Sequence, residues 1–122
     1  MSKKIMIVED EPQLRDMIRS MMTYEGFVAQ TAEDGQDFLD KIDEFQPDFV
    51  TLDVMMPGLS TWEILEKLKE KKAHPNIVLL TAANLSSEEK QRLKQTGCVL
   101  GIIKKPFDMD ELLETIKQLT ER

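Results

Sequence analysis

The sequence predicts a single α/β domain, spanning 1–122, in which a five-stranded parallel sheet is doubly wound with helices on both faces. Three observations carry that expectation. Short apolar runs without alternation recur five times, as strands buried on both faces require. Longer stretches of helical period separate these runs, so successive pairs read as β–α–β units. The length of 122 residues suits one domain that can bury a real core without staples.

Ile5-Met6-Ile7-Val8 is the first buried run, and it ends abruptly at Glu9-Asp10-Glu11-Pro12. Pro12 suits a first helical turn, after which Leu14, Met17, Ile18 and Met21 recur at helical spacing. Gly26 stops this helix, and Phe27-Val28-Ala29 follows as a short second strand. The next helix opens near Asp34-Gly35 with Phe38, Leu39, Ile42 and Phe45 as its stripe. Pro47 terminates it before the third run, Phe49-Val50-Thr51-Leu52. Asp53 closes that run, Met56-Pro57-Gly58 turns the chain, and Ser60 or Thr61 caps a helix carrying Trp62, Leu65 and Leu68. Ile77-Val78-Leu79-Leu80 is the most apolar run and ends at Thr81. Ser86-Ser87-Glu88-Glu89 resembles a helix start with acids in its first turn, but Leu93 stands almost alone as an apolar residue in that helix. Val99 to Ile103 forms the fifth run, ending at Lys104-Lys105-Pro106. Asp108 or Asp110 then caps a last helix striped by Leu112, Leu113, Ile116 and Leu119. Met17, Met21, Phe38, Phe45 and the last helix's leucines are expected in the core, with Cys98 as an inert buried thiol. Trp62 is expected partly buried, and His74 and Lys104 on the surface.

Composition excludes several function classes. A formal net charge of −7 argues against a nucleic-acid face, which needs clustered cations. The single cysteine rules out an internal disulfide and suits a reducing cytosol. The single histidine, His74, rules out a site built on two imidazoles. No apolar run approaches the roughly 20 residues of a membrane span. Met1-Ser2-Lys3-Lys4 precedes too short an apolar stretch to be a signal peptide.

In doubly wound sheets, ligands bind beyond the carboxyl ends of the strands. Those ends carry Glu9 and Asp10, then Asp53, Thr81 and Lys105. Three carboxylates on one rim repel unless compensated, and a hard divalent cation with oxygen ligands is the natural compensator. Mg2+ fits, with Asp10 and Asp53 as direct ligands and Glu9 acting through water. Lys105 supplies a point charge for an anion and Thr81 a hydroxyl donor, so a phosphoryl group suits the site. No serine or cysteine stands at a strand end beside a base. Asp53 is therefore the best-placed nucleophile, by way of an acyl phosphate. Each residue also has a plainer reading: Glu9-Asp10-Glu11 as a solvated helix start, Asp53 as a turn former, Thr81 as structural. Their joint occurrence at successive strand ends tells against those readings.

The motifs Ile7-Val8-Glu9-Asp10-Glu11, Leu52-Asp53-Val54-Met55-Met56-Pro57-Gly58, Leu80-Thr81-Ala82 and Lys104-Lys105-Pro106-Phe107, in this order, resemble the receiver domain of two-component response regulators, as in the chemotaxis regulator. The resemblance runs from Lys4 to about Leu119. It implies a flavodoxin-like (βα)5 fold in a cytoplasmic protein. It also implies that Asp53 is phosphorylated by a sensor histidine kinase or a histidine phosphotransfer protein. Glu9, Asp10, Asp53 and the Met55 backbone carbonyl would hold Mg2+, while Thr81 and Lys105 contact the phosphoryl oxygens. Lys105-Pro106 would be cis. The output would be altered binding through the fourth helix, fifth strand and fifth helix, to an effector domain or protein or in a phosphorylation-dependent homodimer. It would not be metabolic turnover. The chain departs from the family pattern in having Glu9 for an aspartate, Ile102 for an aromatic three residues before the lysine, and Thr61 for a glycine. Cys98-Val99-Leu100-Gly101 also replaces the acidic pair of one DNA-binding subfamily. The chain reads either as a free-standing receiver or as a regulator cut before an effector domain.

Two rival readings fare worse. An aspartyl phosphatase of the haloacid-dehalogenase type needs a second aspartate where this chain has Met55, and a cap domain. A flavodoxin-like cofactor module needs a phosphate-binding loop where this chain places Glu9-Asp10-Glu11, whose charges repel a flavin phosphate.

Overall fold

Strands and helices alternate strictly in the computed structural model, which describes residues 3–120. They are β1 (Lys4–Val8), α1 (Pro12–Tyr24), β2 (Val28–Ala32), α2 (Gly35–Phe45), β3 (Phe49–Asp53), α3 (Thr61–Glu70), β4 (Asn76–Thr81), α4 (Ser87–Gln95), β5 (Val99–Lys104) and α5 (Met109–Thr120). All pairings are parallel, in the order β2-β1-β3-β4-β5, so strand order switches at β1 and opens a crevice between β1 and β3. This is the doubly wound sheet the sequence predicts. Met1, Ser2, Glu121 and Arg122 lie outside the described residues.

The period of two along each strand sorts the core into two layers. Met6, Val8, Val50, Leu52, Ile77 and Leu79 pack on one face with Phe38, Leu39 and Ile42 of α2, Ile64 and Leu68 of α3, and Leu93 of α4. Ile5, Ile7, Phe49, Val78, Leu80 and Ile103 pack on the other with Ile18 and Met22 of α1 and Leu112 and Ile116 of α5. Burying each such side chain contributes about 1.5–3 kcal/mol, which explains why the buried positions of β1 and β4 are almost wholly large apolar residues.

The helix starts follow local chemistry. Asp34 accepts the Asp37 amide at 2.8 Å, and Ser60 and Ser86 each close a capping box with Glu63 and Glu89. Ser60, not Thr61, is therefore the α3 cap. Asp108 precedes α5, and its carbonyl accepts the Leu112 amide at 3.2 Å.

Some expectations shift. β2 extends to Ala32 because its pairing with Lys4–Val8 carries it past Ala29; as an edge strand it alternates exposed and covered residues. Met17 is 54% exposed, while Met22 is fully buried in its stead. The face α1 presents to the sheet is narrower than its apolar stripe, so Ile18 and Met22, one turn apart, fill it and leave Met17 to solvent. Met21, Leu113 and Leu119 are half-buried beside that layer. Cys98 is half-buried in the turn before β5 rather than inside the core.

Candidate functional site

The parallel sheet brings the carboxyl ends of β1, β3, β4 and β5 to one rim, and each predicted site residue lies there. Glu9 follows β1 directly, Asp53 is the last residue of β3, Thr81 the last of β4, and Lys105 follows β5. One carboxylate oxygen each from Glu9, Asp10 and Asp53 can be chosen so that all three lie within 4.8 Å of one another. Glu9 and Asp53 are buried, at 1% and 4% exposure, whereas Asp10 is exposed.

Lys105 Nζ lies between the two buried acids, donating to Glu9 Oε1 at 2.9 Å and lying 3.2 Å from Asp53 Oδ2. Glu9 Oε2 accepts the Glu11 amide at 3.2 Å, and Asp53 Oδ1 accepts the Met55 amide at 3.0 Å. Thr81 Oγ1 accepts the Ala83 amide at 3.0 Å, which leaves its hydroxyl hydrogen to donate elsewhere. The Thr81 carbonyl accepts the Lys105 amide at 2.7 Å, tying the β4 and β5 ends together. The Lys105-Pro106 bond is cis, as the resemblance implies. Lys104 points outward to Asn84 Oδ1, as expected for the solvated member of the lysine pair.

Burial dominates the electrostatics. It pushes the Glu9 carboxyl up from 4.5 to about 7, assisted by proton sharing with Asp53 and opposed by the Lys105 ammonium and the Glu11 amide. Burial also pulls the Lys105 ammonium down, but its bond to Glu9 and the charges of Asp53 and Glu9 outweigh this and leave it above the ordinary lysine value. Three carboxylates thus share one cation, a net negative pocket that favours a further positive charge. Its donors are all oxygen, which suits a hard divalent ion over a soft one.

Arg15 is a residue that sequence reasoning missed. Its guanidinium reaches back from the first turn of α1 to the Glu9 carbonyl at 3.1 Å and braces the β1–α1 loop. The signal was an arginine six positions after the first acid, too common a spacing to single out. Met55 lies in the loop after Asp53 and is 61% exposed.

With this geometry in place, the likeness to known proteins is broad. Residues 5–117 match the family model described as the response regulator receiver domain. The chain is 30% identical over 122 residues to the transcriptional regulatory protein TrcR of Mycobacterium tuberculosis, covering 98% of this chain and 46% of that protein. It is 35% identical over 119 residues to the transcriptional activator protein IrlR of Burkholderia pseudomallei, covering 98% and 51%. The chain thus spans about half the length of these relatives. Among solved structures, a Francisella response regulator receiver domain superposes with a TM-score of 0.86 at 25% identity, covering 99% of this chain and 98% of that one. Chemotaxis protein CheY4 of Vibrio cholerae gives a TM-score of 0.85 at 28% identity, covering 97% and 98%. The acidic crevice at the switch point, the lysine that bridges it and the match over nearly the whole chain lead to one conclusion: this chain belongs to the response regulator receiver domain family of two-component signalling.

Proposed function

We propose that the domain is a phosphoacceptor switch in which Asp53 takes the phosphoryl group and Glu9, Asp10, Asp53 and the Met55 carbonyl hold Mg2+. The observation that carries this reading is the convergence of three carboxylates with Lys105 Nζ 2.9 Å from Glu9 and 3.2 Å from Asp53. The residues fit the ion, because an all-oxygen acidic pocket with one exposed member, Asp10, leaves room for retained waters. Bound there, Mg2+ would neutralise the carboxylates and the charge on the phosphoryl oxygens.

The chain's own residues supply the remainder. An Asp53 carboxylate oxygen attacks the phosphorus of a phosphohistidine on a sensor kinase or phosphotransfer protein. The O–P bond forms, the N–P bond breaks, and the leaving imidazole nitrogen takes a proton from solvent. The Met55 amide holds the other Asp53 oxygen in place. Lys105, already beside Asp53, neutralises the transferred group, and the free hydroxyl hydrogen of Thr81 donates to it. Phosphorylation adds a dianionic group where one carboxylate stood, so Lys105 is drawn from Glu9 toward the new oxygens. The change passes to the face formed by α4, β5 and α5, which would bind an effector domain, an effector protein or a second phosphorylated copy. Such a switch works in the cytoplasm, and its turnover is confined to its own aspartyl phosphate.

Incubation with acetyl phosphate and Mg2+, followed by intact-mass measurement, tests the reading. The native chain should gain one phosphoryl group, and neither EDTA-treated protein nor Asp53→Ala should. An equal gain in Asp53→Ala would overturn the assignment.

A further inference from the structure

The helix with least anchorage in the fold is α4. Of its nine residues only Leu93 is buried, and both neighbours of Leu93 are exposed. One position earlier, the Arg92 guanidinium lies over the ring of Trp62, 5.1 Å from its centroid. Trp62 sits in the first turn of α3 and is 44% exposed. The stack therefore joins the two helices on their solvent side. Alongside it runs a cleft of about 390 Å3 lined by Trp62, Leu65, Thr96 and Cys98. We propose that the Trp62–Arg92 stack is the clamp that fixes α4 against α3, and that it opens when the site is phosphorylated.

The second half of this proposal rests on the phosphoacceptor reading; the first does not. Both clamped helices are rooted in the site. The loop leading to α3 starts at Asp53 and is pinned there by the Met55 amide. The loop leading to α4 starts at Thr81 and is pinned by the Ala83 amide on Thr81 Oγ1. When Asp53 gains a phosphoryl group and the Thr81 hydroxyl reorients toward it, the roots of both helices shift. A cation–π contact needs the cation within about 6 Å of the centroid, so a displacement of an ångström or two breaks it. With the stack open, α4 keeps Leu93 as its one buried side chain.

The single tryptophan makes the contact directly readable. In the unphosphorylated protein, Arg92→Ala should raise acrylamide quenching of Trp62. It should also speed amide exchange across Lys90–Gln95 by about two- to fivefold while β4 and β5 keep their rates, with Arg92→Lys in between. Unchanged exchange and quenching in Arg92→Ala would overturn the clamp. Emission and intact mass are then followed in the same sample after acetyl phosphate and Mg2+. A native chain that gains the phosphoryl mass should change its emission, whereas Arg92→Ala with the same gain should not. A mass gain with constant emission overturns the opening step. Absence of any mass gain overturns the phosphoacceptor reading and the opening step with it, while the exchange measurement decides the resting clamp.

Discussion

Glu9 is a carboxylate that the fold forces to titrate near neutrality, and its pH dependence can be worked through. Its pKa rises from 4.5 to about 7, mainly by burial. Between those values the folded chain holds a proton that the unfolded chain has lost. Stability from this group is therefore complete below 4.5 and is lost as pH rises through 7. At 1.36 kcal/mol per unit, the loss is about 3 kcal/mol, or roughly 10 °C in Tm for a domain of this size. The lowered carboxylates act elsewhere on the scale. Hydrogen bonds from Ser60 and Ser86 hold down Glu63 and Glu89, and the Glu33 amide and Lys41 outweigh the burial of Asp37. Their contributions are lost only as pH falls below the ordinary carboxylate range. Lys105, raised above 10.5, contributes in full throughout. Urea denaturation in EDTA at half-unit steps from pH 4.5 to 7.5 measures the effect. The native protein should lose stability across the range, and Glu9→Gln, which keeps the acceptor for the Glu11 amide, should flatten the slope. Saturating Mg2+ should also flatten it, because the ion binds only the deprotonated acid. A Glu9→Gln protein with the native slope would refute the reasoning and place the proton on another group.

Lys105→Met leaves Glu9 and Asp53 buried without a counter-charge. It should cost about 3–5 kcal/mol at pH 8 and far less at pH 5, where Glu9 is protonated, as read by paired urea titrations. Thr51 Oγ1 is buried with no hydrogen-bond partner among the described residues, between Ile7 and Val78 in the sheet register. Thr51→Val should therefore raise stability by about 1 kcal/mol in thermal melts, whereas a loss would reveal a hidden partner. Ser60→Ala removes the oxygen that receives the Glu63 amide at 3.1 Å and should cost about 1 kcal/mol. The same change should weaken the hold that keeps Glu63 below its ordinary pKa, which carboxyl NMR titration would show.

The strand ends were legible in the sequence because a parallel sheet leaves little freedom. Once five apolar runs are aligned in parallel, their terminal residues must share a rim, and Glu9, Asp53, Thr81 and Lys105 do. The helix faces were less legible. The run from Leu14 to Met22 holds more apolar residues than α1 has contact surface, so which methionine is buried depends on how the helix is rolled against β1 and β2, and Met22 displaces Met17. The contact between α3 and α4 was not legible. Arg92 and Trp62 lie on different helices, and neither residue's neighbours in the chain hint at the other.

The division of charge within the site was also out of reach, for a different reason. Pattern places three carboxylates and one ammonium together, but not which pair forms. Two strands separate β1 from β5, so Lys105 must cross the end of the sheet to reach Glu9, and solvent decides whether that reach is favourable. Asp10 keeps its water and needs no partner. Glu9 and Asp53 have lost theirs, so the ammonium gains most by lying between those two. That places the cation beside the aspartate at the end of β3 before any ligand arrives. It also means that an anion seeking Lys105 must compete with Glu9 for it. A positive charge entering among the carboxylates relieves that competition from the other side, by taking over the electrostatic role that Lys105 performs for Glu9. Glu9 thus ties the end of β1 to the lysine that follows β5, across the two strands between them.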